Sequence, residues 1–177
     1  MTEKIIIAGA GGQGVILLGK LIAEIAMRQD RFVALIPSYG PEVRGGSAYC
    51  MVSISDEEIS SPYINEADTL IIMNNPSLNR FEEKIKRNGL LILNSSLVTD
   101  KIARNDLKVI RYPFTDIAVR LGNPRVANMV VLGCFIKYKR FSDPKIITPV
   151  LYKFAGKEKK DLVKINLKAF KEGLRLR

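Results

Sequence analysis

Histidine is absent from this chain of 177 residues, and only two cysteines are present. Without histidine the protein lacks the commonest general base and the commonest metal ligand, which argues against a self-sufficient hydrolase. Cys50 and Cys134 are too few for an iron–sulfur cluster, which needs about four thiolates, and too few for a structural zinc site. Both stand among apolar residues, which predicts two buried, reduced thiols.

Long apolar runs are missing as well. No stretch reaches the length that crosses a bilayer, and residues 1–4 lead directly into a strand-like run instead of a signal peptide. With 47% apolar residues, the composition predicts one packed domain over residues 1–177. We expect a cytoplasmic protein without membrane contact.

The net charge is +10, and basic residues concentrate toward the C-terminal half. Such an excess could attract nucleic acid, an acidic protein or an anionic ligand, or it could form only a solvated surface. Aromatic residues do not interleave with the basic ones as they do in single-strand binding platforms. We therefore expect no nucleic-acid binding.

Apolar periodicity predicts six strands, with helices after the first and the fourth of them and further helices toward the C-terminus. Apolar runs predict strands at residues 3–9, 31–37, 68–74 and 90–93, and the mainly apolar residues 107–110 predict one more. Alternation over residues 47–54 predicts a strand antiparallel to its predecessor, because the connection is too short for a helical crossover. Helices are predicted from Val15 to Ala26, from Asn75 to Asn88-Gly89, from Phe114 to Leu121, from Asn123 to Tyr138, and twice in the last thirty residues.

These elements predict an α/β fold. We expect a three-layer α/β/α single domain with a mixed, mostly parallel sheet and a Rossmann-like start. The final helix is expected to place Leu162, Ile165, Ala169 and Phe170 on one face. Functional residues are expected at the carboxyl ends of the strands.

Two glycine-rich loops follow the first two predicted strands. In the first, Gly9, Gly11 and Gly14 have the spacing of a dinucleotide fingerprint. That function needs an acidic residue at the end of the second strand, which instead ends in Ile36-Pro37-Ser38. The glycines could alternatively allow close helix packing. A phosphate or a partner's backbone at the helix start is the interpretation we favour.

The second loop combines a Gly40-Pro41 turn with the flexible pair Gly45-Gly46. Between them stand Glu42 and Arg44, which could form an ordinary ion-paired turn or a functional pair. Because the two loops end neighbouring predicted strands, we expect them to lie close together and to build one surface.

The two loops in this order resemble the gamma subunit of 2-oxoacid:ferredoxin oxidoreductases. The resemblance covers nearly the whole chain, through residues 9–15, 37–46, 52–56, 67–68, 74–78, 126–129, 132–133 and 166–170. The segments Ser38–Glu42 and Arg44–Ala48, with Asn75–Leu78, look most like the 2-oxoglutarate branch. A pyruvate- or branched-chain-specific member of the family is the alternative.

The resemblance implies a complex that oxidatively decarboxylates a 2-oxoacid, with coenzyme A (CoA) as co-substrate and ferredoxin as electron acceptor. Thiamine diphosphate, Mg and iron–sulfur clusters are implied on partner subunits called alpha, beta and sometimes delta. This chain lacks a Gly-Asp-Gly thiamine-diphosphate motif. It is therefore expected to bind no cofactor alone and to be a non-catalytic or CoA-proximal subunit.

The surface of the two loops is expected to dock onto the thiamine-binding subunits. Tyr39, Glu42 and Arg44 would lie at the interface or at the active-site entrance, or Arg44 would meet a CoA phosphate. Asn128 could reach the same region or form only a buried hydrogen bond. The candidate residues are Gly9, Gly11, Gly12, Gln13, Gly14, Tyr39, Gly40, Pro41, Glu42, Arg44, Gly45, Gly46 and Asn128.

Two other classes of function stay open at this point. A free-standing dinucleotide-binding oxidoreductase would bind NAD or FAD as a single chain, but the missing ribose acid argues against it. A basic scaffold or RNA-binding protein would bind nucleic acid in a salt-dependent way, but no aromatic-basic motif supports it.

Overall fold

The computed structural model describes residues 2–40, 46–155 and 160–176. The chain divides into two units, Met1–Pro113 and Phe114–Arg177, which are taken in turn. The expectation of a single domain over residues 1–177 stays a prediction.

The first unit combines six strands with two helices, in the order that the sequence predicts. Its strands are β1 (Thr2–Ala10), β2 (Phe32–Tyr39), β3 (Ser47–Ser55), β4 (Ala67–Ile72), β5 (Ile85–Asn94) and β6 (Lys108–Tyr112). Helix α1 (Val15–Met27) follows β1, and helix α2 (Asn75–Phe81) follows β4.

Within the described residues, the strands form one six-stranded sheet in the order β2-β3-β1-β4-β5-β6. Strands β1, β4, β5 and β6 pair in parallel, while β3 runs antiparallel to both β1 and β2. The mixed, mostly parallel sheet is therefore confirmed. The prediction that β1 and β2 are neighbours is wrong, because β3 lies between them. Strand β2 is a half-buried edge strand, a position that tolerates Pro37.

Helices cover both faces of this sheet. Residues directly opposite each other on paired strands share a face, so Ile7 and Cys50 share one face and Ile6 and Met51 the other. Helix α1 packs on the face of Cys50, where a Cβ on Gly19 would collide with the Cys50 sulfur. Leu78 and Phe81 of α2 belong to the core cluster that contains Ile6 and Met51. Three layers are thus present within the first unit.

Helix α2 is shorter than predicted. It ends at Phe81 and leads through a 3-10 turn, Glu82–Lys84, into β5. Asn88-Gly89, predicted as the end of this helix, lies inside β5 instead. Asn88 takes a left-handed φ of 59° there, and the β4–β5 register shifts between Ala67 and Thr69. An Asn-Gly pair suits a bulge as well as a helix end, since left-handed backbone occurs at both.

The described part of the second unit is helical, and the predicted helices are confirmed. They are α3 (Phe114–Arg120), α4 (Ala127–Lys139), α5 (Ile147–Ala155) and α6 (Lys160–Arg175). The predicted face of α6 is partly wrong. Ala169 and Phe170 are buried, but Leu162 is 41% exposed and Val163 takes the buried position. Among the described helices of the chain, none combines the length and apolar character needed to cross a membrane.

Helices α4 and α6 approach closely at two glycines. A Cβ on Gly133 would lie 2.9 Å from the backbone nitrogen of Leu174, and a Cβ on Gly173 would lie 2.9 Å from that of Cys134. Backbone atoms cannot rotate away as a flexible side chain can. The two glycines are therefore what allows this helix pair to form.

Candidate interaction site at the glycine loops

The first glycine loop, between β1 and α1, is held by the side chain of Gln13. The Gln13 Oε1 accepts a hydrogen bond from the Ala10 N–H at 2.7 Å, and its Nε2 donates to the Met73 carbonyl at 3.2 Å. Met73 directly follows β4, and its own N–H donates to the Ala8 carbonyl at 2.9 Å. One amide side chain therefore fastens the loop to the ends of two neighbouring parallel strands.

The glycines of this loop have two different roles. Gly9 is buried, and a Cβ there would overlap the Gln13 Oε1 and lie 2.8 Å from the Met73 Cβ. Gly12 and Gly14 instead have φ values of 93° and 71°, which L side chains rarely adopt. Gly9 thus makes room for Gln13, whereas Gly12 and Gly14 set the backbone path into α1.

The described ends of the second loop lie beside the first loop. The Gly11 N–H donates to the Gly46 carbonyl at 2.9 Å, and the Gly40 N–H donates to the Ser47 carbonyl at 2.8 Å. In the sheet, Ala10 pairs with Ser47. Both loops therefore leave the same edge of the sheet, although β1 and β2 are not adjacent.

The predicted site residues are brought together only in part. Tyr39 ends β2 at this edge and is 68% exposed. Pro41, Glu42, Arg44 and Gly45 lie outside the described residues, so the hypotheses about Glu42 and Arg44 stay hypotheses. Asn128 lies in the first turn of α4 in the second unit and is buried, and its predicted role also stays a prediction.

The strand order disfavours a dinucleotide site. In dinucleotide-binding folds the strand beside β1 runs parallel to it and ends near an acidic residue that binds the ribose. Here β1 has two neighbours: β3 is antiparallel and begins at this edge with Ser47 and Ala48, and β4 is parallel and is followed by Met73 and Asn74. None of these four residues has a carboxylate, so the glycine spacing lacks the acidic group that a ribose would need at this position.

Sequence reasoning missed a polar cluster at the ends of β4 and β5. Asn74 caps α2 by accepting a hydrogen bond from the Ser77 N–H at 3.1 Å. The Asn75 Oδ1 accepts from the N–H groups of Thr99 and Asp100 at 2.9 and 3.1 Å. An Asn-Pro pair marks a helix start in sequence. No local pattern points to Thr99, because it stands 24 residues further along.

The cysteines are unsuited to redox or metal chemistry. Burial raises the pKa of Cys50 and of Cys134 to about 12, so both are neutral thiols at physiological pH. No group of three or more cysteine, aspartate or glutamate side chains within residues 2–40, 46–155 and 160–176 could hold a metal ion. Two neutral thiols do not supply the roughly four thiolates of an iron–sulfur cluster.

Comparison with protein families gives a match over almost the whole chain. A family model described as pyruvate ferredoxin/flavodoxin oxidoreductase matches residues 4–176. Ketoisovalerate oxidoreductase subunit VorA of Methanothermobacter thermautotrophicus is 33% identical over 96% of this chain. The chain spans 35% of the length of that relative.

Shorter relatives match along most of their own length. The 2-oxoglutarate synthase subunit KorC of Methanocaldococcus jannaschii is 36% identical over 77% of this chain and 75% of its own. KorC of Archaeoglobus fulgidus is 31% identical over 96% of this chain and 85% of its own.

Two solved structures have the same fold. A keto/oxoacid ferredoxin oxidoreductase gamma subunit from Geobacter sulfurreducens is 28% identical, with a TM-score of 0.81 over 97% of this chain and 95% of its own. The 2-oxoglutarate:ferredoxin oxidoreductase from Magnetococcus marinus is 25% identical, with a TM-score of 0.88 over 98% of this chain and 30% of its own. That structure holds 2-oxoglutarate, coenzyme A and succinyl-CoA.

Proposed function

Because the chain belongs to the pyruvate ferredoxin/flavodoxin oxidoreductase family, we propose that it serves as the gamma-type subunit of a 2-oxoacid:ferredoxin oxidoreductase. The complex would convert a 2-oxoacid, CoA and oxidised ferredoxin into an acyl-CoA, CO2 and reduced ferredoxin. The observation that carries this proposal is the family match over residues 4–176. Under it, both units act as one gamma-type domain in the cytoplasm.

The chemistry would take place on other subunits. Thiamine diphosphate, Mg and iron–sulfur clusters belong on the alpha, beta and, where present, delta partners. This chain has no histidine, and its two thiols are buried with their pKa raised to about 12. Its part in turnover is therefore to complete and shape the complex, not to bind the reacting atoms.

The edge that carries both glycine loops is the proposed docking surface. Gln13 and the Gly11–Gly46 hydrogen bond hold the described parts of the two loops in a fixed relation, and a preorganised surface loses less entropy on binding. Tyr39 offers an exposed aromatic ring beside them, a residue type enriched at interfaces. Arg44 and Glu42 would contact either the thiamine-binding subunits or, for Arg44, a CoA phosphate, and Asn128 would support the same region.

We propose 2-oxoglutarate as the substrate. Relatives named as 2-oxoglutarate synthase subunits match this chain along three quarters or more of their own length. The ketoisovalerate relative matches over 35% of its length, so a branched-chain 2-oxoacid or pyruvate is the alternative. Activity measurements on the isolated complex distinguish these substrates.

The test is an oxygen-free isolation of the tagged chain from its own cells. We expect partners that carry thiamine diphosphate and iron–sulfur clusters, identified by mass spectrometry and visible absorbance. The isolated complex should reduce a viologen dye only with CoA and a 2-oxoacid, with the highest kcat/KM for 2-oxoglutarate. Recovery of the chain alone with a bound nucleotide would overturn the proposal and favour the free-standing oxidoreductase.

The docking surface is tested separately with Arg44→Glu, and Arg87→Glu serves as a control with the same charge change at an exposed residue of β5. Loss of co-isolated subunits identifies Arg44 as an interface residue. Intact assembly with a raised KM for CoA identifies it as a phosphate contact. If assembly and turnover both match those of the control, the docking hypothesis is wrong while the family assignment stands.

A further inference from the structure

The net charge of the protein lies entirely in its second unit. Residues 114–177 contain fifteen lysines and arginines but five aspartates and glutamates, whereas residues 1–113 contain thirteen of each. A single-sign excess concentrated on one unit attracts oppositely charged partners and repels others of the same sign. The second unit is therefore the part of the chain where an acidic partner would be drawn.

An apolar groove lies in this unit between α6 and the start of α5. Leu167, Phe170, Lys171 and Leu174 of α6 form one wall, with the spacing of a single helix face. The other wall is formed by residues Pro144, Lys145, Ile147 and Thr148. The volume of about 230 Å³ is smaller than the pockets of roughly 300–1,000 Å³ that hold drug-sized ligands. The groove suits inserted side chains better than a cofactor.

Lysines border the groove on both sides. Along α6, Lys168 and Lys171 belong to a basic stripe with Lys164 and Arg175, since the four recur every three or four residues. Lys164 and Arg175 pair with Asp161 and Glu172 on the same helix. Among the residues that the structure describes, no carboxylate forms an ion pair with Lys145, Lys168 or Lys171. Three ammonium groups are thus available to an acidic ligand.

We propose that this groove docks an acidic amphipathic segment of a partner protein. Large apolar side chains of the segment would enter the space beside Leu167 and Leu174, and its carboxylates would lie against Lys145, Lys168 and Lys171. Apolar anchors in a small pocket commonly supply most of the binding energy, while the surrounding charges set on-rate and specificity. Single-stranded nucleic acid fits less well, because Phe170, the aromatic residue of the groove, is buried and offers no stacking face.

The test uses the full-length chain and fluorescent synthetic peptides in an anisotropy titration. The main probe is a helix-forming peptide with leucines on one face and glutamates on the flanking faces. A second peptide replaces the leucines with serine, and a third replaces the glutamates with lysine. We expect binding of the first peptide alone, weakened by added salt. Binding of the serine peptide with equal affinity would show that the apolar side chains do not contribute and that the attraction is nonspecific electrostatics, which would overturn the proposal.

Variants locate the binding. The double variant Lys168→Glu/Lys171→Glu should weaken binding by about tenfold or more at low salt, and Leu174→Ser should weaken it by about tenfold through loss of the apolar wall. Lys84→Glu/Lys108→Glu makes the same charge change at exposed residues of the first unit and should leave affinity unchanged. Equal losses in both double variants would contradict the assignment to the groove.

A single-stranded RNA and vesicles with anionic lipids complete the experiment. If either binds the wild-type chain and the acidic amphipathic peptide does not, the surface serves another class of partner and the proposal is wrong. Circular dichroism and the melting temperature of each variant establish that lost binding does not come from unfolding. The proposal does not depend on the glycine loops of the first unit.

Discussion

Gln13 requires both ends of its amide group, because one end accepts a hydrogen bond from Ala10 and the other donates to Met73. A glutamate has nearly the same shape but no donor when ionised. It would therefore leave the Met73 carbonyl without this bond and place a negative charge beside it. Gly9 contributes indirectly, because a side chain at this position would overlap the Gln13 Oε1.

We predict that Gln13→Glu lowers the free energy of unfolding by about 1–3 kcal/mol, the range for an unsatisfied or repelled polar group. Urea unfolding of the isolated chain measures the change. Gln29→Glu makes the same chemical change at a residue whose side chain donates to the Ile25 carbonyl in the last turn of α1, and should cost less. Equal losses at the two positions would show that Gln13 has no special role.

Gly19 and Cys50 form a matched pair across the interface between α1 and β3. A methyl group on Gly19 would collide with the Cys50 sulfur and lie 3.3 Å from the Leu35 Cδ1. Gly19→Ala should therefore destabilise the protein by about 1–3 kcal/mol, despite the better helix propensity of alanine. Cys50→Ala removes the sulfur, so the double variant should be more stable than the two separate losses predict.

A double-mutant cycle from thermal or urea unfolding measures this coupling. If the Cys50 sulfur is the obstacle, the double variant loses less unfolding free energy than the sum of the losses in the two single variants. If the two losses simply add, the obstacle is elsewhere in the interface, with Leu35 the next neighbour to test.

At the scale of elements, Arg104 and Asp106 shape the segment that leads into β6. The Arg104 guanidinium donates to both Asp106 oxygens, with its Nε at 2.9 Å and its Nη2 at 2.6 Å. The Arg104 N–H also donates to the Glu82 side chain at 2.9 Å. The hydrogen bond from Arg104 lowers the pKa of Asp106 below its usual value. The ionised carboxylate is therefore the form that the native state favours.

A lowered native pKa means that this stabilisation is fully present above the unfolded-state pKa of aspartate, about 3.9. It is lost as the pH falls through that value toward the lower native pKa. We predict that Asp106→Asn destabilises the protein at pH 7 and that the difference from wild type shrinks in acid. Unfolding curves across this pH range test it, with Asp161→Asn as a control at a 98% exposed side chain. A difference that does not change with pH would contradict the ionic role.

The α4–α6 contact offers a second prediction at this scale. Gly133→Ala would drive a methyl group into the backbone of Phe170 to Leu174, and the helices must separate to admit it. We expect a loss of about 3 kcal/mol or more, at or beyond the usual range for overpacking. Differential scanning calorimetry measures it, and Lys164→Ala at an exposed residue of α6 is the control. A neutral Gly133→Ala would show that this helix pair adjusts freely.

The sequence predicted those elements whose apolar pattern is local. Strand β1, helix α1 and strand β3 followed from runs and alternation within a few residues. The end of α2 did not, because strand β5 begins early through pairing with β4, a long-range contact without a local signal. In the site, the spacing of the glycines predicted the loop between β1 and α1. The contact of Gln13 with Met73 was not predictable, because it joins residues 60 positions apart. Likewise, the insertion of β3 between β1 and β2 required knowledge of the whole sheet.

At the scale of the whole molecule, two surfaces of different character are present. The first unit has no net charge but exposes the aromatic ring of Tyr39 at the proposed docking edge, whereas the second unit holds the whole charge excess. Exposed apolar surface at an unoccupied interface favours self-association. The behaviour of the isolated chain in solution should reflect this.

We predict that the isolated chain self-associates as its concentration rises, and that Tyr39→Ser weakens this association. Sedimentation velocity at several concentrations measures it. Tyr63→Ser is a matched control, because Tyr63 is 70% exposed beside the residues at the start of β1 and the end of β3. A wild-type chain that stays monomeric at high concentration would count against a large permanent interface.

Strand β3 is hydrogen-bonded on both sides, with Ser47 opposite Ala10 of β1 and Ala48 opposite Tyr39 of β2. Two neighbours set its register, so a change in the number of residues between Gly40 and Gly46 would not slide the strand or exchange its faces. The residues between Gly40 and Gly46 could therefore differ in number and type among family members while the sheet stays the same. Placing an antiparallel strand between β1 and β2 would therefore allow recognition to change at this edge without refolding of the sheet.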